Sequence, residues 1–170
     1  NRNRLSLYGY PRDTNPRLQE IRHELLVYND VVANIPYTIE SLSSTLTFTP
    51  PEKYNEAYRA MNVITMMKKA GFKTFWITNQ QTLTHRNTML TAFAKLTDEP
   101  TFLNNNRRQS ANSYDEVVLK PFADALSDNA KRKLIVVHLI GTHFAYEYRY
   151  PDVFNIFSNQ QPLSSFATGE

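Results

Sequence analysis

The chain has 170 residues, a formal net charge of +3 and no cysteine. That length is enough for one hydrophobic core, and the lack of cysteine excludes disulfides, thiolate metal sites and a cysteine nucleophile. The small positive charge is far below that of a nucleic-acid-binding protein, so we expect no nucleic acid partner. No apolar run approaches the roughly 18 residues of a membrane-spanning helix.

The first part of the chain predicts a short helix, a strand and a second helix. Pro16 suits the first position of a helix over about 16–25. The stretch 25–33 is rich in β-branched residues and predicts a strand. Thr38 then stands where the N-cap of a helix over 39–46 would lie.

The rest of the chain alternates between helical and extended patterns. The predicted elements are, in order, helix 58–70, strand 73–78, helix 89–96, helix 114–128 and strand 133–140. Gly71 suits the position after a helix end, and Pro121 predicts a kink. Alternating strands and helices indicate an α/β fold with a mostly parallel sheet flanked by helices.

A polar segment follows each of the three predicted strands. The segments are ANIPYT at 33–38, TNQQTLTHRN at 78–87 and GTHFAYEYRYP at 141–151. Ligands of open α/β sheets bind beyond the carboxyl ends of the strands. We therefore expect all three segments to share one rim of the sheet.

Thr38 is open to two interpretations. A hydroxyl at a helix start lies close to unpaired backbone N–H groups and the positive end of the helix dipole, which favours a phosphate ester. Threonine becomes a nucleophile only when a base or a metal removes its proton. The simpler interpretation is an ordinary N-cap, a position at which threonine is common.

Four further residues are candidates for binding or support. His143 follows a predicted strand and suits zinc binding, phosphate binding or acid catalysis, or else is a loop histidine bonded to the backbone. His138 lies inside that strand, where a buried core histidine or a supporting role fits. Asn79 and Gln80 can bind a polar head group, or can simply form a turn towards a helix capped near Thr84.

The sequence contains no complete set of metal ligands. It has no H-x-H pair and no H-E-x-x-H motif. A catalytic zinc requires about three protein ligands, and this chain shows one or two candidates.

Several motifs together resemble one known family. LYGYPR at 7–12, PYT at 36–38, TFWITNQQT at 74–82 and HLIGTH at 138–143, followed by RYP at 149–151, occur in that order. They resemble the phosphoethanolamine transferases of Gram-negative bacteria, in the alkaline phosphatase/sulfatase superfamily. The resemblance is to the branch that acts on the lipopolysaccharide core.

The resemblance implies an inner-membrane protein with a periplasmic catalytic domain, anchored through a segment that precedes this chain. It implies transfer of phosphoethanolamine from phosphatidylethanolamine to a core sugar of lipopolysaccharide. Thr38 corresponds to the zinc-bound nucleophile that carries the phosphoethanolamine ester. His143 corresponds to the histidine that helps to hold the head group, with Asn79 and Gln80 as further contacts and His138 in support.

The family's other zinc ligands lie in Gly-Glu-Ser and Asp-His-Gly segments that this chain lacks. We therefore interpret 1–157 as the central portion of the catalytic domain, with a partial sulfatase-like fold, and 158–170 as a polar, frayed tail. We expect the chain alone to be inactive, to bind zinc weakly or not at all, and to be able to dimerise through exposed sheet edges. The alternatives are another superfamily hydrolase, a phosphoglycerol transferase, or a non-catalytic lipid- or glycan-binding module.

Overall fold

The computed structural model describes residues 2–33, 35–81, 88–106, 112–143 and 145–157. Of the described residues, 2–32 together with 156–157 form one compact unit, and those within Ala33–Asn155 form the other. No helix of the described residues combines the length and apolar character that crossing a membrane requires. The predicted tail 158–170 and the segment around His85 lie outside the described residues.

The smaller unit consists of short helical turns. Its α-helix, α1, spans Pro16–Glu20, and 3-10 turns cover Arg2–Arg4, Ser6–Tyr8 and Arg22–Glu24. Pro16 occupies the start of α1 as expected. The predicted helix is shorter than expected, because α1 gives way to a 3-10 turn.

The larger unit contains the sheet. Its elements are α2 (Thr38–Leu46), α3 (Val63–Lys69), β1 (Lys73–Gln81), α4 (Thr88–Leu96), β2 (Glu99–Asn104), α5 (Leu119–Ser127) and β3 (Lys133–His138). The described strands pair in the order β2-β1-β3, and both pairings are parallel. The predicted α/β fold with a parallel sheet and flanking helices is confirmed.

Alternate side chains of β1 supply two cores, one on each face of the sheet. Trp76 packs on one face, in the cluster of Ala57, Ile64, Leu90, Phe93 and Ala94. Phe75 and Ile77 pack on the other face with Val118 and Ala125. α2 contributes Ile39, Leu42 and Leu46 to the Trp76 side. Because both faces of the sheet are covered, nearly every residue of β1 is buried.

The prediction of a strand over 25–33 is wrong, and the sheet instead contains β2, which the sequence did not predict. Val31 is 72% exposed and Val32 is 86% exposed, and no described strand pairs with this stretch. β-branched residues favour a strand only where a neighbouring strand and a core receive them. β2 escaped notice because it is short and contains Pro100, which an edge strand tolerates.

Three predicted helix features also need correction. Tyr37 is the N-cap of α2, so Thr38 is its first helical residue and not the cap. α3 begins only after Asn62, because Pro51–Arg59 forms 3-10 turns. Pro121 lies in the first turn of α5, where a missing N–H does no harm, so a kink is not needed there.

The prediction for Gly71 is confirmed, whereas the predicted carboxyl ends of β1 and β3 each move by a few residues. Gly71 follows α3 with φ +79°, as predicted for the residue after a helix end. β1 continues to Gln81, so Asn79 and Gln80 belong to the strand itself. β3 ends at His138, two residues earlier than predicted.

Candidate functional site

The carboxyl ends of β1, β2 and β3 lie side by side, because the three strands are parallel. Polar residues from all three strand ends are joined there by hydrogen bonds. This is the rim at which ligands of open α/β sheets bind. The rim therefore contains the described beginnings of two polar segments that the sequence predicted to lie together, Thr78–Gln81 and 141–143.

Asn79 is a buried link in this network. Its Nδ2 donates to Asp115 Oδ1 over 2.9 Å, and its Oδ1 accepts from Ser113 Oγ over 2.7 Å. Its backbone carbonyl accepts from Asn104 Nδ2 over 3.0 Å. The residue has 0% exposure. Asn79 therefore connects the strand ends from within, with both polar side-chain atoms engaged.

Asp115 completes the network, and it is the residue that sequence reasoning missed. Its Oδ1 accepts from the Ile140 N–H over 2.9 Å, and its Oδ2 accepts from the Gly141 N–H over 2.7 Å. An aspartate in the first turn of a predicted helix, here 114–128, is expected to interact with the helix start. The signal that could have found it is the sequence YDE at 114–116, at the start of the predicted helix.

His143 belongs to the turn that follows β3, and Gln80 of β1 contacts that turn. Gln80 is half-buried, and its Nε2 donates to the Leu139 carbonyl over 2.7 Å. The His143 N–H donates to the Ile140 carbonyl over 3.2 Å. His143 itself is exposed. The imidazole thus stands at the surface, at the end of a turn whose backbone is held in place.

His138 lies against the core on the Trp76 face. Its ring meets the Trp76 ring edge-on, with centroids 6.2 Å apart and an interplanar angle of 87°. Burial lowers the pKa of His138, and the nearby negative charge of Asp115 opposes that change. The neutral imidazole is therefore the favoured form near pH 7. This environment fits the core histidine that the sequence analysis considered.

Thr38 is exposed at the beginning of α2. The side chain of its N-cap, Tyr37, makes no capping hydrogen bond to the helix. Ile39 and Leu42 hold α2 on the core. The hydroxyl is thus presented to solvent on an anchored nine-residue helix, beside N–H groups and a dipole end that favour an anion.

The described residues do not form a zinc centre by themselves. None of their His, Asp and Glu side chains gather in groups of three or more that could hold a metal ion. A catalytic zinc takes about three protein ligands. Thr38 can supply one oxygen, so the residues described here do not fit a complete metal site.

A parallel α/β sheet with a polar rim at its carboxyl edge defines a class of ligand-binding and catalytic domains. Residues 1–168 match the sulfatase family. The chain belongs to the sulfatase family, and the predicted sulfatase-like fold is confirmed.

Two relatives are identical to this chain at about half of the aligned positions. Phosphoethanolamine transferase EptC of Escherichia coli (strain K12) is 54% identical over 155 residues, which cover 89% of this chain and 27% of the relative. Phosphoethanolamine transferase CptA of Salmonella typhimurium (strain LT2) is 51% identical over 154 residues, with the same coverage. The chain therefore spans about a quarter of the length of these relatives.

A solved structure matches the fold closely. The C-terminal periplasmic domain of EptC from Escherichia coli, in complex with Zn, superposes with a TM-score of 0.87 at 49% identity. The match covers 96% of this chain and 46% of that domain.

Proposed function

We propose that the protein containing this chain is a membrane-anchored phosphoethanolamine transferase. It moves phosphoethanolamine from phosphatidylethanolamine to a sugar of the lipopolysaccharide core. The exposed hydroxyl of Thr38 at the start of α2 carries this proposal. The sequence identities of 54% and 51% to two phosphoethanolamine transferases support it.

In this proposal Thr38 is the nucleophile. A bond forms between Thr38 Oγ1 and phosphorus while the bond from phosphorus to the diacylglycerol oxygen breaks. Diacylglycerol leaves with the proton that Thr38 gives up. A sugar hydroxyl then attacks the phosphothreonine ester, and its proton returns to Thr38. The two steps leave the threonine unchanged.

The other candidate residues take different roles according to their burial. The exposed His143 contacts the phosphate of the head group. Gln80 holds the turn that carries His143, through the Leu139 carbonyl. Asn79 acts from below the surface, and His138 supports the rim from the core side.

Zinc is the proposed cofactor of the whole protein, because the E. coli relative was crystallised in complex with Zn. When bound, it would lower the pKa of a coordinated oxygen. Of the residues described here, Thr38 is the one proposed to contact it.

The proposed location and partners follow from the same relatives. The catalytic part lies in the periplasm and is joined to the inner membrane, where phosphatidylethanolamine and lipopolysaccharide are available. Among the described strands, β2 and β3 each have one neighbour, so each presents an outer edge. Exposed edges pair readily with other strands, and we propose dimerisation through them, to be measured by sedimentation velocity.

Intact-protein mass spectrometry of the full-length protein tests the function. After incubation with vesicles of phosphatidylethanolamine, we expect a phosphoethanolamine adduct that maps to Thr38. Thr38→Ala should abolish the adduct and lower transfer by about a thousandfold or more. Thr38→Ser keeps the hydroxyl and should retain the adduct. A phosphoglycerol adduct, or full transfer by Thr38→Ala, would refute the proposal.

A further inference from the structure

We propose that Asp115 is a positioning residue that fixes the direction in which His143 leaves the sheet. The inference rests on the proposed function, in which His143 contacts the phosphate at the Thr38 site. It concerns the turn at 139–143, which connects the end of β3 to His143.

The Asp115 carboxylate binds this turn rather than its own helix. Its two oxygens accept from two consecutive backbone N–H groups, those of Ile140 and Gly141, over 2.9 and 2.7 Å. Consecutive N–H groups that converge on one anion form a specific cradle. Hydrogen bonds to an ionised acceptor are also about twice as strong as neutral ones. The carboxylate therefore selects one backbone conformation of the turn.

Three further features restrain the same turn, and Gly141 permits its conformation. The Ile140 residue is buried at 5% exposure, and the Gln80 amide holds the preceding carbonyl of Leu139. Gly141 adopts φ +56°, a conformation that glycine reaches without strain. The His143 N–H then closes the turn on the Ile140 carbonyl. Little freedom is left between β3 and the backbone of His143.

Asp115 is in turn fixed by the sheet. Asn79 donates to the same Oδ1 that accepts from Ile140, and Ser113 and Asn104 hold Asn79. The position of the turn is thus tied to the ends of both β1 and β2. A displacement of about 1 Å at a reacting group can lower a rate by about a hundredfold, so loss of this support should be visible in catalysis.

A double-mutant cycle in the full-length protein tests the proposal. Asp115→Asn keeps the shape of the side chain but replaces one acceptor oxygen with a donor. We expect it to lower kcat/KM for transfer from phosphatidylethanolamine by about 10- to 100-fold. In the His143→Ala background, the same change should lower kcat/KM by less than about threefold, because the group it positions is absent.

Thermal unfolding supplies the structural readout. The decrease in Tm caused by Asp115→Asn should be the same with and without His143, since the hydrogen bonds lost are to the backbone. Asp124→Asn is the matched control, because Asp124 is an exposed acid of α5 that pairs with Lys120. Its kcat/KM should stay at the wild-type value.

If Asp115→Asn does not fold, Gly141→Ala replaces it in the cycle. An added Cβ at Gly141 meets no atom within 4 Å, so this change acts through the backbone torsion alone. The same dependence on His143 is expected.

Equal factors of loss in both backgrounds, or full activity of His143→Ala alongside an inactive Thr38→Ala, would overturn the positioning role while leaving the proposed function intact. Full transfer by Thr38→Ala would instead overturn the proposed function.

Discussion

His138 and His143 are five positions apart in the sequence, yet they occupy different environments. His143 is exposed beyond the turn, whereas His138 is partly buried against Trp76. The sequence pattern placed His138 inside a predicted strand and His143 just beyond it, but left the role of each open. Which imidazole contacts the core depends on the residue at which β3 ends, and β3 ends at His138.

The burial of His138 predicts a pH dependence of stability. Because burial lowers the pKa of His138 in the folded state, the unfolded chain binds more protons as pH falls below about 6.5. The stabilising contribution of neutral His138 is therefore complete above about pH 6.5 and decreases below it. Urea unfolding between pH 5.5 and 7.5 should show this slope, and His138→Gln should flatten it. His23→Gln, which changes an exposed histidine, should leave the slope intact; an unchanged slope in His138→Gln would contradict the prediction.

Asp98 predicts an effect at lower pH, near the amino ends of the strands. Its hydrogen bonds to Lys68, and then to the side chain and backbone N–H of Thr74, lower the pKa of Asp98 from 3.8 to about 2. The stabilisation it provides is present above about pH 4 and decreases as pH falls towards 2. Asp98→Asn should destabilise the protein by about 1–2 kcal/mol at pH 7.

Chemical denaturation at pH 7 and pH 3 checks this expectation. The difference between Asp98→Asn and the wild type should be smaller at pH 3, because the carboxyl of the unfolded chain, with a pKa of 3.8, is then largely protonated while that of the folded state is not. Asp124→Asn, which alters an exposed ion pair, should change stability by less than about 0.5 kcal/mol at either pH. A pH-independent difference for Asp98→Asn would show that the charge is not the cause.

At the scale of elements, α3 begins with a side-chain cap, Asn62, which lies inside the longer helix predicted over 58–70. Asn62 Oδ1 accepts from the Thr65 N–H over 3.0 Å, and Asn62 is 4% exposed. Asn62→Ala should lower the free energy of unfolding by about 1 kcal/mol, because one N–H of the first turn loses its partner. Asn62→Asp keeps the acceptor and should cost less. Urea unfolding midpoints measure both, and equal losses would contradict a capping role.

The strands show why local pattern predicts some elements and misses others. β1 was recognisable because its residues are buried on both faces of the sheet. The stretch 25–33 is also rich in β-branched residues, but no described strand pairs with it. Propensity reports which side chains suit a sheet, whereas the partner strand decides whether one forms.

At the scale of the whole molecule, the absence of a three-ligand cluster among the described residues predicts weak zinc binding by this chain. Zinc titration by calorimetry should show no tight stoichiometric site, and a fluorescent phosphatidylethanolamine analogue should not turn over. Metal activation contributes several kcal/mol, and each roughly 1.4 kcal/mol is tenfold in rate. One zinc bound tightly per chain, with turnover, would contradict this expectation.

The sequence by itself determined the α/β class, most of the helices, two of the strands and, to within one residue, the position of Thr38 at the start of a helix. These features follow from local periodicity and from the residues that begin and end helices. The tertiary structure alone decided the sheet order, the place of β2 and the role of Asp115, whose partners lie 25 to 36 residues away in the chain. Local pattern specifies which face of an element is apolar, but the half-buried carboxylate of Asp115 accepts from whichever amides the packed strands bring to it.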